Sequence, residues 1–177
     1  MNRQPSTHHS GEQSSNLIAR SSPHVAGRAC GPSASVIIHA PPRELYAIIA
    51  DYEHGHPRIL PRPPFVSLAV EQGGVGAGTV VRVDMRVLGR LRTFRAVISE
   101  PEPWRVLVET NDNGYVTTFT VEPRADGQQA YVTIATEMAG RAGILGALER
   151  WLASRLLRPV YVRELEQLAA VVAERAG

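Results

Sequence analysis

Cysteine is almost absent from this 177-residue chain, which has a single one, Cys30, near its N-terminus. A disulfide bond within one chain is therefore excluded, and so is a zinc site built from cysteines. This cysteine usage suits a reducing compartment, and we expect a cytoplasmic protein. Lysine is missing altogether: all 19 Lys+Arg residues are arginines, which we interpret as a bias of genome composition.

Long apolar segments are also missing from the sequence. No run approaches the roughly 20 consecutive apolar residues that a membrane-spanning helix needs. Arg3 is not followed by an apolar stretch, so the N-terminus does not have the pattern of a secretory signal. We therefore expect neither a transmembrane segment nor a signal peptide.

A charge excess is missing from most of the chain. The formal net charge is +2, and Arg3, Arg20 and Arg28 against Glu12, all before Ser35, account for it. The basic pI of about 9.0 thus belongs to the N-terminal segment. Because the remainder has no excess of basic residues to attract a phosphate backbone, we expect no nucleic-acid partner.

The sequence divides into a tail and one domain. Residues 1–32 are rich in Ser, Gly, Pro, His and Gln, and they hold too little apolar surface to offset the loss of chain entropy on folding. We expect this N-terminal tail to be disordered. Residues 33–177 have the size of one ordinary domain, and the hydrophobic content of the whole chain, 44%, is sufficient for a core.

The periodicity of apolar residues predicts an α+β fold. SASVIIHA is typical of a strand, and a short helix is predicted from Pro42 over RELYAIIAD. Six segments with a period of two follow, and Asp112-Asn113-Gly114 predicts a hairpin with a type I′ turn. The expected architecture is a curved antiparallel sheet of six to seven strands wrapped around a long C-terminal helix.

The C-terminal helix is predicted from about Gly143 to Ala176, with a kink or a break caused by Pro159. It is expected to pack on the sheet through an apolar stripe. The stripe consists of Leu145, Leu148, Leu152, Leu156, Val160 and Leu168, with Trp151 beside it. Arginines mixed with Glu164 and Glu166 are interpreted as a solvated face, and a transient contact of these arginines with anionic lipid heads is the alternative.

Four segments of the chain resemble, in order and in spacing, the motifs of a known superfamily. They are SVIIHAPPRELYAIIADYEHGHPRILP, GVGAGTVVRV, VISEPEPWRVLVE and FTVEPRADGQQAYVTI. The chain resembles the START-like (SRPBCC) helix-grip superfamily, in particular the polyketide cyclase/dehydrase and lipid-transport family, over about residues 34–175. The resemblance implies a helix-grip fold with a ligand cavity between the sheet and the C-terminal helix.

This resemblance, joined to the alternation along the strands, predicts a binding cavity on the concave face of the sheet. The inward set is apolar with a few hydroxyls, which suits a small, mostly apolar ligand. The same side chains could instead fill a core against the helix. The candidate ligand-binding residues are Tyr52, His56, Val81, Val83, Met85, Val108, Tyr115, Thr117, Phe119, Ile134, Thr136, Met138, Leu148, Trp151 and Leu152.

The stretch DYEHGHPRILP, from Asp51 to Pro61, concentrates reactive side chains. His54 and His56 are metal-ligand types, but a catalytic zinc site needs three converging ligands, and His39 is the only other histidine after the tail. We expect no metal and no other cofactor. The resemblance implies that the segment borders the cavity mouth as a gate; the alternative is a solvated cap over one end of the sheet.

Three functions are compatible with the sequence. The first is a carrier or sequestering protein for a small hydrophobic molecule such as a lipid, a polyketide or an isoprenoid. The second is a polyketide cyclase or dehydratase that uses the same pocket, and the third is a regulator that binds a protein partner. No serine has a defensible His and Asp arrangement, so we assign no catalytic residue. Tyr115, Asp51 and Glu137 are the candidates for any acid–base role.

Overall fold

The computed structural model describes residues 31–138 and 144–176, so the expectations for the tail up to residue 30 lie outside the described residues. The strands are β1 Ser33–Ile38, β2 Phe65–Gln72, β3 Val80–Val87, β4 Arg90–Glu102, β5 Val106–Asn111, β6 Tyr115–Arg124 and β7 Gln129–Met138. The α-helices are α1 Pro42–Ala50, α2 His56–Ile59 and α3 Ile144–Ala176. A short 3-10 turn, Ala125–Gly127, joins β6 to β7.

The seven described strands form one antiparallel sheet in the order β1-β7-β6-β5-β4-β3-β2. From β2 to β7 each strand pairs with the next one along the chain, and β1 closes the sheet against β7. In the sequence, α1 and α2 lie between the two edge strands and connect them. The predicted α+β fold, a curved antiparallel sheet with a long C-terminal helix, is confirmed.

The β5–β6 hairpin forms where Asn113-Gly114 predicts it, but its turn is of a different type. Gly114 has a φ of 83°, whereas Asn113 does not take a positive φ. The amide of Gly114 donates to the carbonyl of Asn111 over 3.0 Å. These features describe a type I turn followed by a glycine bulge, not a type I′ turn. The turn sets a register in which Glu109 lies opposite Thr117.

One face of the central strands supplies the core. On β3, Val81, Val83 and Met85 are buried, as the alternation of the sequence predicts. The sequence does not assign the faces of β4, because both are mixed in character. The structure buries Ala96 and Ile98 on β4, so these two side chains extend the apolar concave face.

The faces of β5 are opposite to the prediction. Val108 is expected to point inward, but the structure buries Leu107 completely and places Glu109 on the concave side. The segment VLVET is apolar on both faces near its start, so alternation alone cannot assign them. Pairing with β4 decides the matter, because the buried Ile98 lies opposite Glu109 and directly paired residues share a face.

Helix α3 covers the concave face with its C-terminal half. The described buried residues of α3 are Val160, Tyr161, Glu164, Leu165, Leu168, Val171 and Val172. The predicted stripe is wrong towards the N-terminus, where Leu148 is 56% and Leu152 is 44% exposed; the side chain of Leu145 lies outside the described residues. The helix continues through Pro159 without a break, and of the two predicted effects of this proline the kink stays a prediction. Within residues 31–138 and 144–176, no helix has the length and apolarity that crossing a membrane requires.

The inward assignment of β5 is tested by replacing Leu107 with alanine. Leu107→Ala is expected to lower the free energy of unfolding by about 2–5 kcal/mol, because it opens a cavity in a fully buried position. Val97→Ala, on the outer face of β4, is the control and is expected to change that free energy by less than about 0.5 kcal/mol. Urea unfolding monitored by circular dichroism measures both values. Equal losses would contradict the assignment.

Candidate ligand-binding cavity

A cavity of about 530 Å³ lies between the concave face of the sheet and α3. Its walls are mainly apolar and include Met85, Phe94, Phe119 and Leu157. Small-molecule sites in proteins have volumes of roughly 300–1,000 Å³, so this space is large enough for a ligand. The alternative interpretation, a core filled by these side chains, does not apply to this part of the sheet.

The cavity opens near the β3–β4 and β5–β6 turns. Its exposed lining residues include Arg92, Thr93, Asn113, Tyr115 and Leu156. His56 and Leu60 also line the cavity, yet both are buried. The segment Asp51–Pro61 therefore borders the buried inner end of the cavity, away from the exposed lining residues, and its expected role as a gate stays a prediction.

The predicted site residues of the sheet and of the inner end fall into four groups. Those that line the cavity are His56, Met85, Tyr115, Thr117, Phe119 and Thr136. Buried on the concave face but within the packed core are Val81, Val83 and Ile134. Tyr52 lies behind the wall, where its ring stacks on His56. Val108, on the outer face, and the half-buried Met138 do not border the cavity.

The predicted site residues of α3 do not line the cavity. Leu148, Trp151 and Leu152 are all exposed. The residues of α3 that do border the cavity are Ala153, Leu156, Leu157, Val160, Tyr161 and Glu164. One residue turns an α-helix by about 100°, so choosing Leu152 in place of Ala153 selects a different face.

Three titratable side chains meet at the inner end of the cavity: His56 from α2, Glu109 from β5 and Glu164 from α3, here called the inner cluster. His56 Nε2 lies 3.7 Å from Glu109 Oε1 and 4.0 Å from Glu164 Oε1. The assignment of Glu164 to the solvated face of the helix is wrong, since its side chain is only 4% exposed. Neither glutamate is among the site residues that the sequence predicts.

The imidazole of His56 is oriented by the core. Its Nδ1 donates to the carbonyl of Ile49 over 2.7 Å, and because a carbonyl only accepts, Nδ1 carries a proton. Nε2 is thereby directed at the two carboxyl groups. The ring stacks on Tyr52 with centroids 4.4 Å apart, and the edge of Phe119 packs against it.

The two carboxyl groups of the inner cluster have different environments. The Tyr52 hydroxyl donates to Glu109 Oε1 over 2.6 Å. Burial, and then the charge of Glu109, raises the pKa of Tyr52, so this hydroxyl keeps its proton and its role as a donor. Glu164 Oε1 is buried and has no hydrogen-bond partner in the described part of the chain. Burial, and then the charge of Glu109, raises the pKa of Glu164 well above its ordinary value.

A row of hydroxyl groups continues the polar wall beside the inner cluster. Thr117 and Thr136 share a hydrogen bond of 2.8 Å between their hydroxyl oxygens. The hydroxyl of Thr136 is also hydrogen-bonded to that of Tyr161 on α3. Burial raises the pKa of Tyr161, so its hydroxyl stays neutral. The row joins β6, β7 and α3 across the cavity wall.

The stretch DYEHGHPRILP contributes to this site with only part of its side chains. The amides of Glu53 and His54 donate to Asp51 Oδ1 over 3.1 and 3.0 Å, a local cap at the end of α1. His54 is exposed, whereas Tyr52 and His56 point into the protein. Across residues 31–138 and 144–176, no group of three or more His, Cys, Asp or Glu side chains is arranged to hold a metal ion.

The sequence contains a signal for each glutamate of the inner cluster. The hairpin at Asn113-Gly114 pairs Glu109 with Thr117, and Thr117 is predicted to point inward. Glu164 lies four residues from both Val160 and Leu168, two members of the predicted stripe, so it occupies a gap in that stripe. From composition alone, Glu109 and Glu164 would both be assigned to the solvent-exposed surface.

Residues 32–173 match the family model described as polyketide cyclase / dehydrase and lipid transport. The chain belongs to this family. The match covers the sheet, the two short helices and most of α3, and it confirms the resemblance seen in the sequence. Among curated proteins, by contrast, none matches the chain.

Solved structures support the same classification. The KanY protein, solved in solution, is 29% identical, with a TM-score of 0.68 over 80% of this chain and 95% of that one. The Zhui aromatase/cyclase from Streptomyces sp. R1128 is 17% identical, with a TM-score of 0.63 over 82% and 94%. A START superfamily protein from Mycobacterium smegmatis is 15% identical, with a TM-score of 0.59 over 80% and 96%. The last two show a shared START-like fold.

The burial of Glu164 predicts a pH-dependent stability. Its pKa is raised on folding, so its full contribution to stability is present below the ordinary value of 4.5 and is lost as the pH rises towards the folded pKa. At pH values above the folded pKa, each rise of the Glu164 pKa by one on folding lowers the free energy of unfolding by about 1.4 kcal/mol. For a chain of this size, this loss corresponds to roughly 3–6 °C in Tm. The Tm of Glu164→Gln is therefore expected to exceed that of the wild type by a margin that increases from pH 5 to pH 8.

Glu166→Gln is the control, because it removes the same charge from an exposed position on the same helix. Its Tm is expected to follow that of the wild type across the pH range. Calorimetry of the three proteins in matched buffers measures the difference. A constant gap between Glu164→Gln and wild type at every pH would show that burial does not raise the pKa of Glu164.

Proposed function

We propose that the protein binds a small, largely apolar molecule in this cavity and acts as a cytoplasmic carrier or sequestering protein. The observation that carries the proposal is a cavity of about 530 Å³ with mainly apolar walls, buried lining residues at its inner end and exposed ones near the β3–β4 and β5–β6 turns. Burial of the ligand provides the driving force, at roughly 25 cal/mol for each Å² of apolar surface removed from water. The description of the family, which includes lipid transport, supports this role.

The N-terminal half of α3 is the proposed entrance for the ligand. Leu156 lines the cavity and is also exposed, and the exposed Leu152 and Trp151 continue the apolar surface outward. A continuous apolar surface lets a ligand leave the cavity without full contact with water. We propose that this surface touches a membrane transiently, assisted by the attraction of Arg155 and Arg158 to anionic head groups.

The first test of binding is native mass spectrometry of the freshly purified full-length chain, followed by denaturing extraction. A stoichiometric added mass that extracts as an organic molecule is the expected result. The neutral apolar dye N-phenyl-1-naphthylamine, whose fluorescence rises in apolar sites, gives an independent measurement of the cavity. A protein that carries no added mass and leaves the dye fluorescence unchanged would contradict the proposal.

Ala153→Trp tests whether the dye occupies the cavity. Ala153 lines the cavity on α3, so an indole at this position is expected to take up part of the volume and weaken dye binding at least about tenfold. Ala170→Trp introduces the same side chain at an exposed position of the same helix and is expected to leave the affinity unchanged. Equal affinities of the two variants would place the dye outside the cavity.

A polyketide cyclase or dehydratase is the second candidate function. The observation in its favour is His56 Nε2, which faces two carboxyl groups within the cavity, a set of acid–base residue types. If the protein dehydrates its ligand, the compound extracted from the wild type is expected to contain one water less than the compound extracted from Glu164→Gln. Identical extracted compounds would favour the carrier.

A further inference from the structure

The inner cluster has more hydrogen-bond acceptors than donors. Glu109 and Glu164 present carboxyl groups to the cavity, and Glu109 receives the Tyr52 hydroxyl. His56 Nε2 is 3.7 and 4.0 Å from the two nearest carboxyl oxygens, which is too long for direct hydrogen bonds. Glu164 Oε1 is buried and receives no donor from the described residues. A buried acceptor without a donor is unfavourable, and a ligand group can satisfy it.

The charges that line the cavity are distributed unevenly along it. Within the described lining, the charged side chains are Arg92, Glu109 and Glu164, with His56 as a further titratable group. Arg92 is exposed at the opening, where water and salt screen its charge. At the inner end, one imidazole faces two carboxyl groups. The cavity is therefore acidic at its closed end and basic at its mouth.

We propose that the inner cluster is the binding site for the hydrogen-bond-donating head group, an amine or a hydroxyl, of an otherwise apolar ligand. This inference rests on the proposed function and names the class of ligand. The donor group binds against the cavity-facing side of His56, Glu109 and Glu164 and donates to the Glu164 carboxyl group. The apolar body of the ligand extends along Phe119 and Met85 towards the opening.

The same arrangement rejects a carboxylate head group. A carboxylate head group at the inner end would lie beside the charge of Glu109 in a poorly solvated space, where like charges repel strongly. A neutral hydroxyl donates to Glu164 without this repulsion, and a protonated amine adds charge attraction to the hydrogen bond. The expected order of affinity is amine first, alcohol second and carboxylate last, so fatty acids are not the ligands of this cavity.

Three probes with one apolar body test this order: 2-naphthylmethylamine, 2-naphthalenemethanol and 2-naphthoate. Isothermal titration calorimetry with the full-length chain at pH 7 measures their affinities. The amine and the alcohol are expected to bind at least about tenfold more tightly than 2-naphthoate. Glu164→Gln is expected to reduce the advantage of the amine over 2-naphthoate at least about tenfold. Glu166→Gln, which removes an exposed charge, is expected to preserve it.

Proton release separates direct recognition by Glu164 from a structural role. The groups that face Glu164 are His56, Glu109, Tyr52 and, on its own helix, Tyr161; both tyrosines stay neutral because their pKa values are raised. A bound ammonium group favours the ionised form of the Glu164 carboxyl group. Binding of the amine to the wild type is therefore expected to release a proton from Glu164 to the buffer. Titrations in two buffers with different heats of ionisation detect the release, which Glu164→Gln is expected to abolish.

The outcomes distinguish this inference from the proposed function. Equal binding of all three probes by the wild type would keep the apolar cavity but overturn the head-group site, as would 2-naphthoate binding most tightly through Arg92 at the mouth. Failure of all three probes to bind would overturn the proposed function together with the inference. If Glu164→Gln does not fold, Glu109→Gln serves as the second variant. It is expected to weaken the same preference for the amine over 2-naphthoate.

Discussion

The concave face of the sheet needs a cover, and α3 has buried side chains for this purpose only from Val160 onwards among its described residues. The C-terminal half of the helix packs closely on the core through Leu165, Leu168 and Val172. Further towards the N-terminus, Ala153 and Leu157 approach the sheet without filling the space beneath them. The cavity exists because the sheet has more apolar concave surface than the helix covers.

Glu164 lies at the boundary between these two halves of α3. It is buried on the helix face that packs towards the core, yet it borders the cavity, and so do Glu109 and His56. The folded protein thus retains a desolvated carboxyl group that a tightly packed core would exclude. Such a group is retained at a cost in stability, which is typical of residues kept for binding or chemistry. Because of this polar inner end, the two ends of an otherwise apolar cavity differ in polarity.

Most of the fold can be predicted because its signals are local. The seven strands, the hairpin at Asn113-Gly114 and the start of α1 at Pro42 follow from periodicity and turn chemistry over a few residues. The site can be predicted only in part. Phe119 and Thr117 lie in a strand with one apolar face, and alternation places them correctly, whereas Val108 lies in a strand with two apolar faces, and alternation fails there.

The sequence by itself determined the order of the elements, the antiparallel sheet and the family, since each rests on short-range patterns. The tertiary structure alone decided which charges are buried. Glu164 and Glu166 are two residues apart on one helix, but only Glu164 faces the core. Asp51 and His54 form a surface cap, while His56, in the same stretch, enters the cavity wall. Burial depends on contacts with residues distant in the chain, and a local pattern does not contain them.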